Sequence, residues 1–288
     1  MVLLASDLDR TIIFSKKFLN EEIYKEHQPV CIEYYKNEPI SFVTQKTYNY
    51  LTKVLENKDK DKIFVPTTTR SLEQFRRIRI LNKFPYAIVA NGGIILKDNK
   101  PLKEWNLIVE QIKEKLDYDL AEKILNSKKY SGLFTKEPKL VDSIFFYMKV
   151  PNNKTEINYI LNMIDKDFKN TEWTYTLQGL KLYIIPKEIS KENVIDFLRN
   201  YLQKKSDFVI TAGDGKLDKG MIDYGSISFI PTNSELYNLN FDELNKKNRY
   251  RLEIKLGNNV DYTKVMRYNF TKEGIGSPEG LLNFYLNI

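Results

Sequence analysis

Short apolar runs recur along the chain, and each ends in a polar or glycine-containing corner. Val2–Ser6, Lys62–Pro66 and Tyr86–Ala90 have the length and near-continuous apolar character of strands buried on both faces. The corners that follow them are Asp7-Leu8-Asp9, Thr67-Thr68-Thr69-Arg70 and Asn91-Gly92-Gly93. Val30–Tyr35 and Ile40–Thr44 flank Lys36-Asn37-Glu38-Pro39 and read as a hairpin. Gln45–Asn57 carries helical spacing through Tyr48, Leu51 and Leu55. Ser71 opens another helix, with Gln74 three residues on in a capping-box arrangement.

The texture changes after residue 93. Leu107–Asn126 reads as one long polar helix and Asp142–Val150 as a strand of mixed polarity. Thr155–Lys166 is a helix with Ile157, Ile160, Leu161 and Ile164 on one face. Glu172–Leu177 and Leu180–Ile185 are strands about a Gln178-Gly179 turn. The strand–helix rhythm then returns: helix Ser190–Lys204, strands Asp207–Thr211 and Ser226–Ile230, and a final helix Pro278–Leu286. Alternating strands and helices imply parallel βαβ units with right-handed crossovers. The expected fold class is α/β, with residues 1–93 and 181–288 forming a parallel-sheet core and residues 94–180 an inserted α+β module.

Composition narrows the class of protein. The chain has 288 residues, 42% hydrophobic and 29% charged, as in globular proteins with a sizeable core. A single cysteine, Cys31, excludes an internal disulfide framework and fits a reducing, cytoplasmic setting. The apolar run Met1–Ser6 is too short for a signal peptide, and no segment approaches the ~20 apolar residues of a membrane span. The net charge of +7 comes mostly from lysines spread along the chain, which reads as solvated surface. The densest basic stretch, Arg70, Arg76, Arg77, Arg79 and Lys83, raises nucleic-acid ends as an alternative substrate; otherwise no nucleic-acid partner is expected.

In parallel sheets, ligands sit beyond the carboxyl ends of the strands. That is where Asp7, Thr68 and Asp214 fall. Asp7 and Asp9 are two residues apart, so on an extended backbone both carboxylates reach the same side. One can attack phosphorus while the other handles the leaving group's proton, splitting one displacement into two easier ones. Asp7 and Asp214 on neighbouring strand ends would supply the paired carboxylates that hold Mg²⁺ beside phosphate oxygens. Lys191, in the first turn of its helix, opposes the helix dipole, a cost that a role in neutralising phosphate would explain; Lys187 is its competitor. The Thr68 hydroxyl and the backbone N–H groups after it can take a phosphoryl oxygen. His27 and Cys31 have no partner constellation.

Taken in order, these pieces resemble the haloacid dehalogenase (HAD) superfamily, whose pattern is strand-D-x-D-x-T, strand-Thr/Ser, Lys, then strand-G-D-x-x-x-D. Asp7, Asp9, Thr11, Thr68, Lys191, Asp214 and Asp218 match it position by position. The resemblance implies a Rossmann-like core with a cap domain, and a Mg²⁺-dependent phosphatase for a small phosphorylated metabolite. It implies Asp7 as nucleophile, Asp9 as general acid/base, and Thr68 and Lys191 as phosphate clamps. Asp7, the Asp9 carbonyl and Asp214, with Asp218 beside them, would hold the metal. Thr11, Thr69, Arg70, Asn91 and Gly92 would complete the phosphate and substrate contacts. An acid at position 9 fits phosphatases and phosphomutases, so a phosphomutase is the alternative activity. The 94–180 insertion and the Asn91-Gly92 turn resemble the Cof-type and sucrose-phosphatase-like branch. The cap would be mobile, hinged near Gly92-Gly93 and Gly179, with Trp105, Tyr130 and Lys181 as candidate contacts. Arg10, Thr69 and Leu217 depart from that branch's usual Gly, Gly and Asn. Asp-Leu-Asp-Arg-Thr with Gly-Asp-x-x-Leu-Asp resembles a bacterial subgroup associated with tellurium-resistance and stress gene clusters.

Overall fold

A computed structural model describes residues 1–202, 208–232, 234–239, 249–256, 259–272 and 274–288. Five strands form one sheet in the spatial order Tyr268–Thr271, Ile227–Pro231, Phe208–Ala212, Val2–Ser6, Lys62–Pro66, and every neighbouring pair is parallel. Successive side chains of a strand point to opposite faces. Leu4 and its register partners Phe64 and Ile210 therefore enter one apolar cluster, while Leu3, Ala5, Val65 and Val209 enter another on the opposite face. Each of these side chains larger than Ala5, removed from water, contributes roughly 1.5–3 kcal/mol. The helix Ser277–Asn287 supplies Leu281, Leu282 and Tyr285 to the first cluster; the helix Lys191–Tyr201 supplies Val194, Ile195 and Leu198 to the second. This is the α/β parallel-sheet core expected from the sequence.

Several elements differ from the sequence reading. Residues 107–126 are not one helix but parts of two, Lys103–Glu114 and Tyr118–Leu125, because the Asp117 carboxylate accepts the Leu120 N–H and starts a new helix. The expected strand Asp142–Val150 begins only at Phe145, since Asp142 and Ser143 have φ +48° and +57° and make the turn of a hairpin with Lys136–Val141. Asp207 and Lys204, expected at the ends of a strand and a helix, lie outside the described residues.

The inserted module contains a second, antiparallel sheet in the order Trp173–Gln178, Lys181–Pro186, Phe145–Lys149, Lys136–Val141. Residue 180 is therefore no boundary: Lys181–Pro186 is a central strand of the inserted sheet. Likewise Ile94–Lys97 pairs with Tyr86–Val89 on the core side. Gly179, φ +59°, turns the hairpin between Trp173–Gln178 and Lys181–Pro186, so it is a tip and not a hinge. The module has its own apolar cluster, with Phe146, Met148, Ile160, Ile164, Trp173, Leu182 and Ile184 at its centre. Among the described residues, no helix is long and apolar enough to cross a membrane.

Candidate active site

Asp7 leaves the Val2–Ser6 strand with its N–H on the Ala212 carbonyl at 2.8 Å, which sets it beside Gly213-Asp214 at the end of the next strand. Carboxylate oxygens of Asp7, Asp214 and Asp218 lie within 4.8 Å of one another, all buried. Lys191 reaches into this cluster and donates to Asp7 Oδ1 at 2.6 Å and Asp218 Oδ1 at 2.5 Å, with 1% of its side chain exposed. Ser190 caps its helix by accepting the Asn193 N–H. Gly92, φ +101°, lies against that cap: a Cβ there would stand 2.7 Å from the Ser190 carbonyl oxygen. The Trp105 indole N–H clasps the Gly92 carbonyl at 2.9 Å. Gly92 thus seats the lysine's helix.

The second oxygen of Asp218 accepts the backbone N–H groups of Asp214 and Gly215 at 3.1 and 2.9 Å, folding the loop back on itself. Asp218 is thereby committed to Lys191 and to the loop. Both oxygens of Asp214, by contrast, are buried and have no hydrogen-bond partner. The nearest counter-charge is Arg10, whose Nε is 3.5 Å away. Arg10 has φ +67°, the region that favours the glycine usual at this place.

Electrostatics follow from this crowding. Burial, and then the Asp218 charge, push the Asp7 carboxyl up to about 7 although Lys191 pulls it down. Burial and the charges of Asp7 and Asp218 push Asp214 up to about 8. Burial alone would lower Lys191, but Asp218 and Asp7 outweigh it and keep the ammonium charged. Three buried acids against one lysine leave excess negative charge, and buried charge without a partner is costly. An orphaned carboxylate beside a second one is a donor set that fits a hard divalent cation.

Asp9 is arranged differently. The Arg70 guanidinium forks onto both its oxygens, Nε to Oδ2 and Nη2 to Oδ1, each at 2.8 Å. Desolvation pushes the Asp9 carboxyl up, but hydrogen bonding and charge from Arg70 reverse this and hold it below its ordinary value. Arg70 also donates to Glu33 Oε2 at 2.7 Å, where Ser41 Oγ donates at 2.5 Å, and Arg77 Nε stands 3.2 Å from Glu33 Oε1. Arg70, expected to touch phosphate, instead spends its donors on carboxylates and positions Asp9.

Glu33 was missed by motif reasoning, although a lone acid inside the apolar hairpin strand Val30–Tyr35 was the available signal. It is fully buried in that hairpin. Glu33→Ala would take the buried carboxylate from Arg77 and one of two from Arg70, which keeps Asp9, and should cost about 3 kcal/mol in a urea titration.

Thr68 is buried at the end of Lys62–Pro66, with its hydroxyl accepting the Arg70 N–H at 3.1 Å. Asn91, φ +56°, donates its N–H to the Thr68 carbonyl at 3.0 Å. Thr11 Oγ1 is buried without a partner. Thr69 is half-buried beside Thr68, near the Tyr183 hydroxyl of the inserted sheet. Lys187 is exposed and is not brought to the site. Trp105 and Tyr130 are buried, the latter with its hydroxyl on Asp167, so neither is a substrate contact. The Gln178-Gly179 hairpin turn expected from the sequence reaches the core: Glu235 accepts the Gly179 N–H at 3.0 Å and the Lys216 N–H at 3.4 Å.

The family model for sucrose-6F-phosphate phosphohydrolase matches residues 1–255. No curated protein sequence matches the chain. Among solved structures, the sucrose-phosphatase of Synechocystis sp. PCC6803, determined with sucrose and phosphate, aligns at TM-score 0.64 and 15% identity over 99% of this chain and 97% of that one. A HAD-superfamily phosphatase from Bacteroides thetaiotaomicron aligns at TM-score 0.52 and 13% identity over 99% and 95%. The trehalose-6-phosphate phosphatase of Aspergillus fumigatus aligns at 0.51 and 11% over 100% and 93%. These likenesses share the fold of the α/β core described above. The chain belongs to the sucrose-6F-phosphate phosphohydrolase family and is a phosphatase of the HAD superfamily.

Proposed function

We propose that the protein is a Mg²⁺-dependent phosphatase that hydrolyses a small phosphorylated sugar through an aspartyl-phosphate on Asp7. The observation that carries this is the buried Lys191–Asp7 contact of 2.6 Å beside the Asp214 carboxylate, which accepts no hydrogen bond, at the carboxyl ends of adjacent parallel strands. Asp7 attacks phosphorus, and the leaving oxygen takes a proton from Asp9. Water, activated by Asp9, then cleaves the acyl phosphate and frees Asp7. Lys191 and the Thr68 hydroxyl hold phosphoryl oxygens as charge builds on them. Asp7 and Asp214, with the Asp9 carbonyl, would hold Mg²⁺, which supplies charge neutralisation to the phosphoryl group.

The Arg70 fork holds Asp9 ionised, so it must loosen for Asp9 to take up the proton that it gives to the leaving oxygen. Glu33 keeps Arg70 paired while it does. The exposure of the Asp9 side chain, 46%, supports hydrolysis over transfer back to a retained product. The nucleic-acid reading loses support because Arg70 and Arg77 are spent on Glu33. We take the cap to be the inserted module extended through Lys181–Pro186. Within the superfamily, Asp-Leu-Asp-Arg-Thr and Gly-Asp-x-x-Leu-Asp support a place in the tellurium-resistance-associated subgroup.

The test is phosphate release from a panel of sugar phosphates with and without Mg²⁺. EDTA should abolish release and Mg²⁺ restore it; activity surviving EDTA and dialysis would remove the metal from the mechanism. Mg²⁺ should also raise the melting temperature of the apoprotein, since a ligand at a hundred times its Kd stabilises by about 2.7 kcal/mol. Asp214→Ala should lose that shift.

A further inference from the structure

The inserted sheet has two unlike faces. Phe146, Met148, Leu182 and Ile184 alternate onto the module's own apolar cluster. Tyr147, Lys149, Lys181 and Tyr183 therefore point the other way. Two interactions show where that second face looks. Gln178, directly opposite Lys181, packs its amide on Gly215 beside Asp214, and Tyr183 and Phe145 join the core's second apolar cluster.

Cross-strand register gathers further cations on this face. Lys181 is directly opposite Lys149, Lys149 opposite Lys136, and Tyr147 opposite Lys139. All four lysines are exposed. Lys136 Nζ lies 4.8 Å from the centre of the Tyr147 ring. Like charges directly opposite each other destabilise a sheet. Among the described residues none of the four is paired with a carboxylate, although nearby Lys129 pairs with Asp167. The acid at the tip of the sheet, Glu235, is taken by the Gly179 and Lys216 N–H groups. A row of lysines without carboxylate partners costs the fold stability, and among these four only Lys136, over the Tyr147 ring, gives an internal contact in return.

We propose that this lysine face binds a second anionic group on the substrate, so that the preferred substrate is a sugar phosphate carrying a further phosphate or a carboxylate, not a neutral disaccharide phosphate. The inference rests on the phosphatase reading above. The half-buried aromatic ring of Tyr147 between the lysines would pack on the sugar, while the ammonium groups take the distal anion. A charged partner at this distance acts on affinity and on encounter rate, both of which weaken with salt.

The experiment compares kcat/KM of the full-length protein with Mg²⁺ for fructose 1,6-bisphosphate, 6-phosphogluconate, glucose 6-phosphate, sucrose 6-phosphate and p-nitrophenyl phosphate. The doubly anionic substrates should be preferred by about tenfold or more, with a steeper loss on raising salt. The bisphosphate and the sugar acid separate the two sources of the second charge. In Lys149→Gln/Lys181→Gln, the ratio of kcat/KM for the doubly anionic substrates to that for p-nitrophenyl phosphate should fall by about tenfold. A ratio that does not move, or a preference for sucrose 6-phosphate, overturns the proposal. No release from any of the five esters would instead overturn the phosphatase reading on which it rests.

Discussion

Asp7→Asn should abolish phosphate release and leave the fold intact. The amide keeps the shape of the carboxylate but cannot form the acyl phosphate, so turnover should fall by at least on the order of 10⁴, as for loss of a nucleophile. The fold should tolerate the change for a reason visible in the site. Asp7 is buried with its carboxyl pushed up to about 7, so the folded protein already disfavours its charge. A neutral amide removes that repulsion from Asp214 and Asp218, and Lys191 keeps Asp218 as a partner at 2.5 Å. The metal-free melting temperature should therefore hold or rise, while the stabilisation by Mg²⁺ shrinks. Circular dichroism and thermal melts with and without Mg²⁺ check both. Substantial Mg²⁺-dependent release by the purified variant would remove Asp7 from the role of nucleophile.

The parallel core was legible because its strands are buried on both faces. Val2–Ser6 and Lys62–Pro66 were read with the bounds they have, since nothing polar interrupts them before the corner. The Ser71 capping box with Gln74 forms as spaced. The fifth strand, Tyr268–Thr271, was not found: at 4 residues of mixed polarity at a sheet edge it carries no period. The inserted sheet was read in part because one of its faces is polar. Lys136–Val141 is exposed along most of its length and looks like a loop, and Lys103–Glu114 and Tyr118–Leu125 blur into one amphipathic pattern until Asp117 is recognised as a cap.

The site was legible wherever a residue's role depends on its strand end. Asp7, Thr68 and Asp214 follow the carboxyl ends of neighbouring parallel strands, and Lys191 reaches Asp7 from the first turn of its helix. Roles that depend on a third partner were not legible. Arg70 was read as a phosphate ligand because nothing local reveals Glu33, 37 residues away in sequence. Asp218 lies with Asp7 and Asp214 in the buried acidic cluster, but its bonds to Lys191 and to two backbone N–H groups were not legible. Gly179 was read as a hinge because glycine marks a left-handed corner without saying whether that corner bends or merely turns a hairpin.

Lys191 should show the second large effect, on stability and rate together. It is the one ammonium among three buried carboxylates, donating to two of them. Lys191→Met keeps most of the side-chain volume and removes the charge. Breaking a buried pair by taking one partner costs about 3–5 kcal/mol, because the remaining charge is left uncompensated. Part of that cost should be avoided here, since Asp7 can take up a proton, its carboxyl being already raised by burial and Asp218. The same proton would quench the nucleophile, so rate should suffer even where the fold survives. Loss of a preorganised charge clamp is worth on the order of 10²–10³ in kcat. Added Mg²⁺ should recover some stability, as the cation takes over charge that Lys191 neutralised, but should not recover rate, because the ammonium also holds a phosphoryl oxygen. Lys187→Ala, an exposed change outside the site, should leave both quantities near wild type. If Lys187→Ala cost more activity than Lys191→Met, the site lysine would have been misidentified despite the 2.6 Å contact to Asp7.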